Sequence, residues 1–296
     1  MSRARIAMLT VLAMMAFAGN SLLCRLALGH TGIDPASFTT VRLVSGALTL
    51  WLVMRTKAGA GRNPDGVDGA TGPLPGAGSW LSALALFAYA VCFSFAYARL
   101  PAGSGALLLF GAVQATMIGQ GIRAGERFRI PQMAGLALAC GGLVGLLLPG
   151  ISAPPLGAAV LMLCSGAAWG IYSLRGRGKG DPVRVTTGNF LRAAPIALAW
   201  SVLMAENVSV DVEGLLYALA SGALTSAIGY IIWYTVLPAL RATSAATVQL
   251  SVPVIAALGG TVLLGESVTL RLMLASVAIL GGIALVILEK RADAPS

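Results

Sequence analysis

The sequence predicts an all-α integral membrane protein of ten transmembrane helices, arranged as two inverted five-helix repeats. Three observations carry that expectation. The 296 residues are 57% hydrophobic and only 10% charged, with 37 glycines and a mean hydropathy of +0.85, well outside soluble globular usage. Apolar stretches of about 20 residues, the length that crosses a hydrocarbon core of roughly 30 Å, succeed one another along the chain. Residues 102–146 match 242–286 at a constant offset of 140 without a gap, pairing Ala102/Ala242, Ser104/Ser244, Gly119/Gly259, Gly125-Glu126/Gly265-Glu266 and Gly141-Gly142/Gly281-Gly282. Five spans per half is an odd number, so the second copy enters the bilayer from the opposite side, as in the inverted repeats of secondary transporters. The halves divide as 1–150 and 151–296.

The first span, 4–28, follows Arg3 and Arg5. Ala16-Phe17-Ala18 resembles a signal-peptide cleavage site, but the apolar run continues past it, and the stretch has a counterpart in the second half at an offset of 152; it is expected to stay as a span. The second, 35–54, opens on Pro35 and carries a charge, Arg42, inside the apolar run. Residues 57–79 hold seven glycines and three prolines with Asp65 and Asp68, which predicts a flexible cytoplasmic loop. No Gly-x-x-x-x-Gly-Lys-Ser/Thr pattern occurs in it, so it is not read as a phosphate cradle. The third span, 79–98, places Tyr89, Phe93 and Tyr97 on one face at i, i+4 and i+8. Spans four and five, 102–122 and 131–148, hold the first copy of the repeat. The sixth, 155–174, carries Trp169 and Tyr172. The seventh, 183–204, contains Asn189, Arg192 and Pro195; the eighth, 213–236, carries Tyr230, Trp233 and Tyr234; the ninth, 242–264, holds Ser244, Gln249 and Pro253; the tenth is 269–288.

A net charge of +9 raises the question of nucleic acid, and the position of the charges answers it. With the N-terminus inside, fifteen Lys/Arg residues fall on one side of a ten-span chain and only Arg25, Arg99 and Arg271 opposite. That is the positive-inside pattern, with both termini cytoplasmic; the expected partner is the lipid bilayer of a bacterial inner membrane. Cys24, Cys92, Cys140 and Cys164 lie in or at the ends of spans without paired spacing and are read as small buried residues.

The residues expected to carry function are aromatic and polar. The offsets equate Phe17 with Trp169 and Phe93 with Trp233, pseudo-symmetric positions that would converge on a central cavity. With Tyr89 and Tyr172 they form the expected aromatic lining, and Asn20, Ser244 and Gln249 are the expected polar partners, being costly to place against lipid. Arg42 and Arg192 are either pathway residues or end-of-span residues. All eleven acids map to loops or span ends, so no mid-membrane carboxylate offers itself as an ion carrier. One histidine, His30, and the absence of a His-Glu-x-x-His pattern argue against a zinc hydrolase; no cofactor, metal or covalent chemistry is expected. The oligomeric state is left open, and a monomer is compatible with the sequence.

Leu264-Gly265-Glu266 closing the ninth span, Gly125-Glu126 closing the fourth, Ala168-Trp169-Gly170, Pro253 and Gly281-Gly282 resemble the EamA-type repeat of the drug/metabolite transporter superfamily, over nearly the whole chain. Within it, Phe17-Ala18-Gly19-Asn20 and the aromatic third span are most similar to the YddG-type aromatic amino acid exporters. The resemblance implies export of aromatic amino acids and related small metabolites by alternating access through a largely hydrophobic cavity. It implies no enzyme activity. Export of cationic drugs or another small metabolite, which the same rings could hold by cation–π contact, and a non-transporting membrane scaffold are the alternatives.

Overall fold

The computed structural model describes residues 1–60, 77–123, 125, 129–150, 153–176, 181–240, 245 and 248–292. The described residues are helical, with no strand among them. We label the helices α1 (Arg3–His30), α2 (Pro35–Ala60), α3 (Trp80–Tyr97), α4 (Ala102–Arg123), α5 (Ile130–Leu147), α6 (Leu156–Gly176), α7 (Pro182–Leu203), α8 (Val212–Ala220), α9 (Gly229–Val236), α10 (Ser251–Leu264) and α11 (Leu270–Ala292). A π-helical segment, Ser221–Ile228, joins α8 to α9, so that all three run as one element over Val212–Ala239.

Among the described residues eight helices are long and apolar enough to cross a membrane: α1, α2 over Pro35–Thr56, α3, α4, α5, α6, Val212–Ala239 and α11 over Leu270–Ile287. The seventh and ninth expected spans stand apart. Helix α7 is long but carries Arg184, Asn189 and Arg192; α10 has only 14 residues, and 241–244 and 246–247 lie outside the described residues. The outer surface is apolar, with Ile130 83%, Val262 80% and Val277 74% exposed, while Arg42, Gln114 and Asn189 are buried. Apolar groups outside and polar groups inside is the arrangement a lipid solvent selects.

Side-chain caps fix where helices start. Asp34 accepts from the backbone N–H groups of Ala36 and Ser37 at 2.9 and 3.0 Å, Ser79 Oγ from that of Ser82 at 3.2 Å, and Asp181 from that of Val183 at 3.0 Å. These satisfy donors that a helix N-terminus leaves free. Asp34 also receives the Ser209 N–H at 3.0 Å, and its own N–H donates to the Ser209 carbonyl at 2.8 Å, tying the α1–α2 turn to the turn before α8. Its partial burial works against the charged form, but hydrogen bonds from Ser37, Ser209 and Ala36 outweigh that and hold the carboxyl below the usual carboxylate range.

Helix α1 runs through the middle, packed on α8, the π segment, α9 and α10; α2 lies on α7 and the π segment, α6 on α3 and α4, and α5 along α11. Two expectations are corrected here. Residues 57–60 continue α2 and 77–79 are anchored to α7, where Arg192 Nη1 donates to the Ala77 carbonyl at 2.7 Å and Asn189 Oδ1 accepts the Ser79 N–H at 2.9 Å; the expected flexible loop is thus fixed at both edges, and its middle, 61–76, lies outside the described residues. Of the four cysteines, Cys24 is buried and Cys92 half-buried, but Cys140 and Cys164 are exposed on the outer surface, because lipid accepts a thiol as readily as a packed interior does.

Candidate functional site

The largest concentration of rings sits where α1, α3, α6 and α9 meet. Phe17 makes edge-on contacts with Trp169, Tyr230 and Trp233 at centroid distances of 6.3, 6.0 and 5.9 Å. Trp169 lies 5.0 Å from Tyr89 and 4.9 Å from Tyr230, and stacks on Tyr172 at 5.4 Å. The i, i+4 ladder of α3 continues the cluster, with Tyr89 to Phe93 at 5.3 Å and Phe93 to Tyr97 at 4.7 Å. Such spacings fall within the range favoured by ring quadrupoles. The cavity they enclose, lined by Phe17, Asn20, Ser21, Tyr89, Phe93, Leu109, Phe110, Trp169 and Tyr230, has an accessible volume of about 20 Å³, room for about one water. The rings close on one another.

One wall of this cage is polar. Asn20 Oδ1 accepts from Ser221 Oγ at 2.8 Å and from Thr225 Oγ1 at 3.3 Å, which orients its amide so that Nδ2 donates to the Tyr89 hydroxyl at 3.2 Å. Arg42 Nη2 donates to the same hydroxyl at 3.0 Å and Nε to Ser226 Oγ at 3.1 Å. The guanidinium stands 5.1 and 5.0 Å from the Tyr89 and Phe93 ring centres. Its side chain is 1% exposed, and Nη1 has no hydrogen-bond partner. Among the described residues no carboxylate pairs with Arg42 within 4 Å. A buried charge without a counterion costs several kcal/mol or more; here two hydroxyls and two ring faces offset part of that.

Backbone shape makes this wall possible. Gly222 rides so close to α2 that a Cβ there would overlap Ser45 Oγ and the Arg42 carbonyl oxygen. The π winding that follows brings Ser221, Thr225 and Ser226 together onto Asn20 and Arg42. π turns are uncommon and concentrate where a helix is shaped for a task.

A second polar junction sits at the far end of α1. Arg25 Nε donates to Glu266 Oε1 at 2.9 Å and Nη1 to the Tyr97 carbonyl at 3.2 Å, while Glu266 Oε2 accepts the first N–H of α4, from Ala102, at 2.7 Å. Gly265 makes this reach possible: at φ +65° it ends α10 in the left-handed region and the Glu266 N–H turns back to the Gly260 carbonyl at 3.1 Å, a glycine-specific stop. Gly125, its match at the offset of 140, also has positive φ, +90°; Glu126 lies outside the described residues.

Of the expected site residues, Phe17, Asn20, Tyr89, Phe93, Trp169 and Trp233 come together, and Tyr172 forms a second layer behind Trp169. Gln249 makes no hydrogen bond to them among the described residues: it is buried and donates to the Ala245 carbonyl of its own turn at 3.2 Å. Ser244 lies outside the described residues. Arg192, for which the sequence left open a pathway or an end-of-span position, donates to the Ala77 carbonyl and stands by Trp80, while Asn189 accepts the Ser79 N–H and donates to the Tyr172 hydroxyl at 3.5 Å. Ser221, Thr225 and Ser226 were not distinguishable in sequence from the many serines and threonines that bond only their own helix.

Comparison with known proteins agrees with this architecture. The chain matches the EamA-like transporter family twice, over residues 4–148 and 156–288. It is 54% identical over 283 residues to an uncharacterized protein of Pseudomonas aeruginosa, covering 96% of this chain and 94% of that one. A protein of known crystal structure, 18% identical, superposes with a TM-score of 0.64 over 99% of this chain and 100% of the other, a likeness of fold alone. Two matches to the family that together span most of the chain, with eight apolar helices of membrane-crossing length among the described residues, identify a multi-pass membrane protein that belongs to the EamA-like transporter family.

Proposed function

We propose that the protein exports aromatic amino acids and related small metabolites across a bacterial inner membrane by alternating access. In this reading ten spans form two inverted five-helix halves, 1–150 and 151–296, with both termini cytoplasmic, and the halves rock about the cage to expose it to one side and then the other. The observation that carries the reading is the cage itself. Phe17 from the first half is packed edge-on against Trp169, Tyr230 and Trp233 from the second, so a planar ring entering there exchanges one set of edge-to-face contacts for another. A ring held by about 2 kcal/mol of burial per face is held loosely enough to leave. The alternative of a cationic drug substrate has the Arg42 charge against it, since a second cation would enter a wall that already carries one.

The test is flux of radiolabelled phenylalanine and tryptophan in liposomes containing the purified protein. Loss of one aromatic wall in Trp169→Ala is expected to lower saturable flux roughly 10- to 30-fold, the equivalent of about 2 kcal/mol. No flux above empty liposomes, with protein that is folded and correctly inserted, would end the aromatic assignment.

A further inference from the structure

We propose that the cage recognises its substrate by a carboxylate, through the Tyr89 hydroxyl positioned by Arg42, and that it therefore takes aromatic monocarboxylates whether or not they carry an α-amino group, while rejecting aromatic amines. The inference rests on the reading that the aromatic cage is the substrate site, and it names which end of the substrate the protein grips.

The argument begins with the hydrogen bonds of one oxygen. Tyr89 Oη accepts from Arg42 Nη2 at 3.0 Å and from Asn20 Nδ2 at 3.2 Å. A phenolic oxygen has two acceptor positions and one proton. With both acceptor positions taken, the hydroxyl can only donate, and Tyr89 and Asn20 both line the cavity. The Asn20 amide is held in the same sense, because its oxygen is engaged by Ser221 and Thr225 and one N–H of Nδ2 by Tyr89, leaving a second N–H as a donor not used in these bonds. Two more hydroxyls in the lining, those of Ser21 and Tyr230, are buried with no hydrogen bond inside 3.5 Å, Ser21 facing Tyr97 and Tyr230 facing Tyr89. The wall thus offers donors.

Charge points the same way. Arg42 lies directly behind Tyr89 and Phe93, fully buried, with Nη1 unpartnered and no carboxylate within 4 Å among the described residues. In a low-dielectric interior its field is weakly screened, and a hydrogen bond to an ionised acceptor is roughly twice as strong as a neutral one. A carboxylate accepting from Tyr89 answers both the donors and the positive field. An ammonium answers neither, and the lining contains no acidic residue that could receive one. Arg42 acts through Tyr89 and is a positioning residue; the rings of Phe17, Phe93 and Trp169 hold the aromatic end.

The experiment is isothermal titration of the detergent-purified full chain with three probes of equal ring size: 3-phenylpropionate, phenethylamine and phenylalanine. The wild-type protein is expected to bind 3-phenylpropionate and phenylalanine at least about tenfold more tightly than phenethylamine, as one charge-assisted hydrogen bond allows. Arg42→Gln and Tyr89→Phe are each expected to bring the acid-to-amine ratio close to one, and Arg42→Lys to restore part of it. A merely structural role for Arg42 would weaken all three probes together and leave the ratio unchanged; that result would overturn the proposal. So would phenethylamine binding as tightly as 3-phenylpropionate to the wild-type chain, a comparison that needs no variant to fold. Phenylalanine and phenethylamine binding without 3-phenylpropionate would overturn the carboxylate grip and leave the aromatic site standing, whereas folded protein that binds none of the three would remove both.

Discussion

Replacing Glu266 with alanine removes two charge-assisted hydrogen bonds at once: the 2.9 Å bond from Arg25 and the 2.7 Å bond from the Ala102 N–H. Each such bond contributes about 1.5–3 kcal/mol when desolvated. The side chains are 21% and 15% exposed, which places the pair between a surface bridge at about 0–1 kcal/mol and a buried one whose disruption costs about 3–5. We expect a net loss of about 2–3 kcal/mol for Glu266→Ala, or roughly 3–5 °C in the melting midpoint of a chain this long. Glu266→Gln keeps an oxygen for the Ala102 N–H and loses the ion pair, so its shift is expected to be about half as large. The assay is thermal unfolding in detergent followed by size exclusion, run as a double-mutant cycle with Arg25→Leu, in which the pair should show a coupling of about 1 kcal/mol or more. The reasoning fails if glutamine costs as much as alanine, or if the Arg25→Leu and Glu266→Ala effects simply add.

Two further outcomes follow from local geometry. Gly222→Ala forces a Cβ onto Ser45 and the Arg42 carbonyl; we expect overpacking of about 1–3 kcal/mol, seen as a lower melting midpoint, together with reduced phenylalanine flux per folded molecule because the π segment is pushed off α2, and an unchanged midpoint would show that the contact relaxes freely. Asp34 has its carboxyl held below the usual range, so the stability it contributes is fully present above the unfolded value near 4 and is lost as pH falls through the lower folded value; Asp34→Asn should melt earlier than wild type at pH 7 and the gap should narrow in acid, whereas a gap that does not narrow as pH falls below the unfolded value would count against this linkage.

Much of the cage was legible because it rests on periodicity and duplication. Tyr89, Phe93 and Tyr97 declare a shared face by spacing alone, and the repeat offset brings Phe17 and Trp169 to equivalent positions that prove to touch. Gly265-Glu266 was legible as a helix end, since glycine after an apolar run is a stop signal. What did not show was partner choice. Asn189 and Asn20 are alike in sequence, each a single amide in an apolar run, yet one caps residues 77–79 and the other orients Tyr89. Gln249 looked equally available and bonds within its own turn. Arg42 announced a cost without saying what offsets it, because its partners Tyr89 and Ser226 lie 47 and 184 positions away. The π winding left no trace either: Ser221 to Ile228 is ordinary helix-forming sequence, and its winding depends on what packs against it.

That winding has a mechanical consequence. A π turn spans one residue more than an α turn, so the stretch between α8 and α9 holds slack that regular helix would not. Rewound as α-helix, it would rotate everything after it by about 100° and advance it by about 1.5 Å per residue released. Tyr230 and Trp233 lie just beyond it and Ser221 at its start. One residue of rewinding would therefore swing two rings away from Phe17 and leave the Asn20 to Ser221 hydrogen bond in place, a screw motion confined to half of one helix.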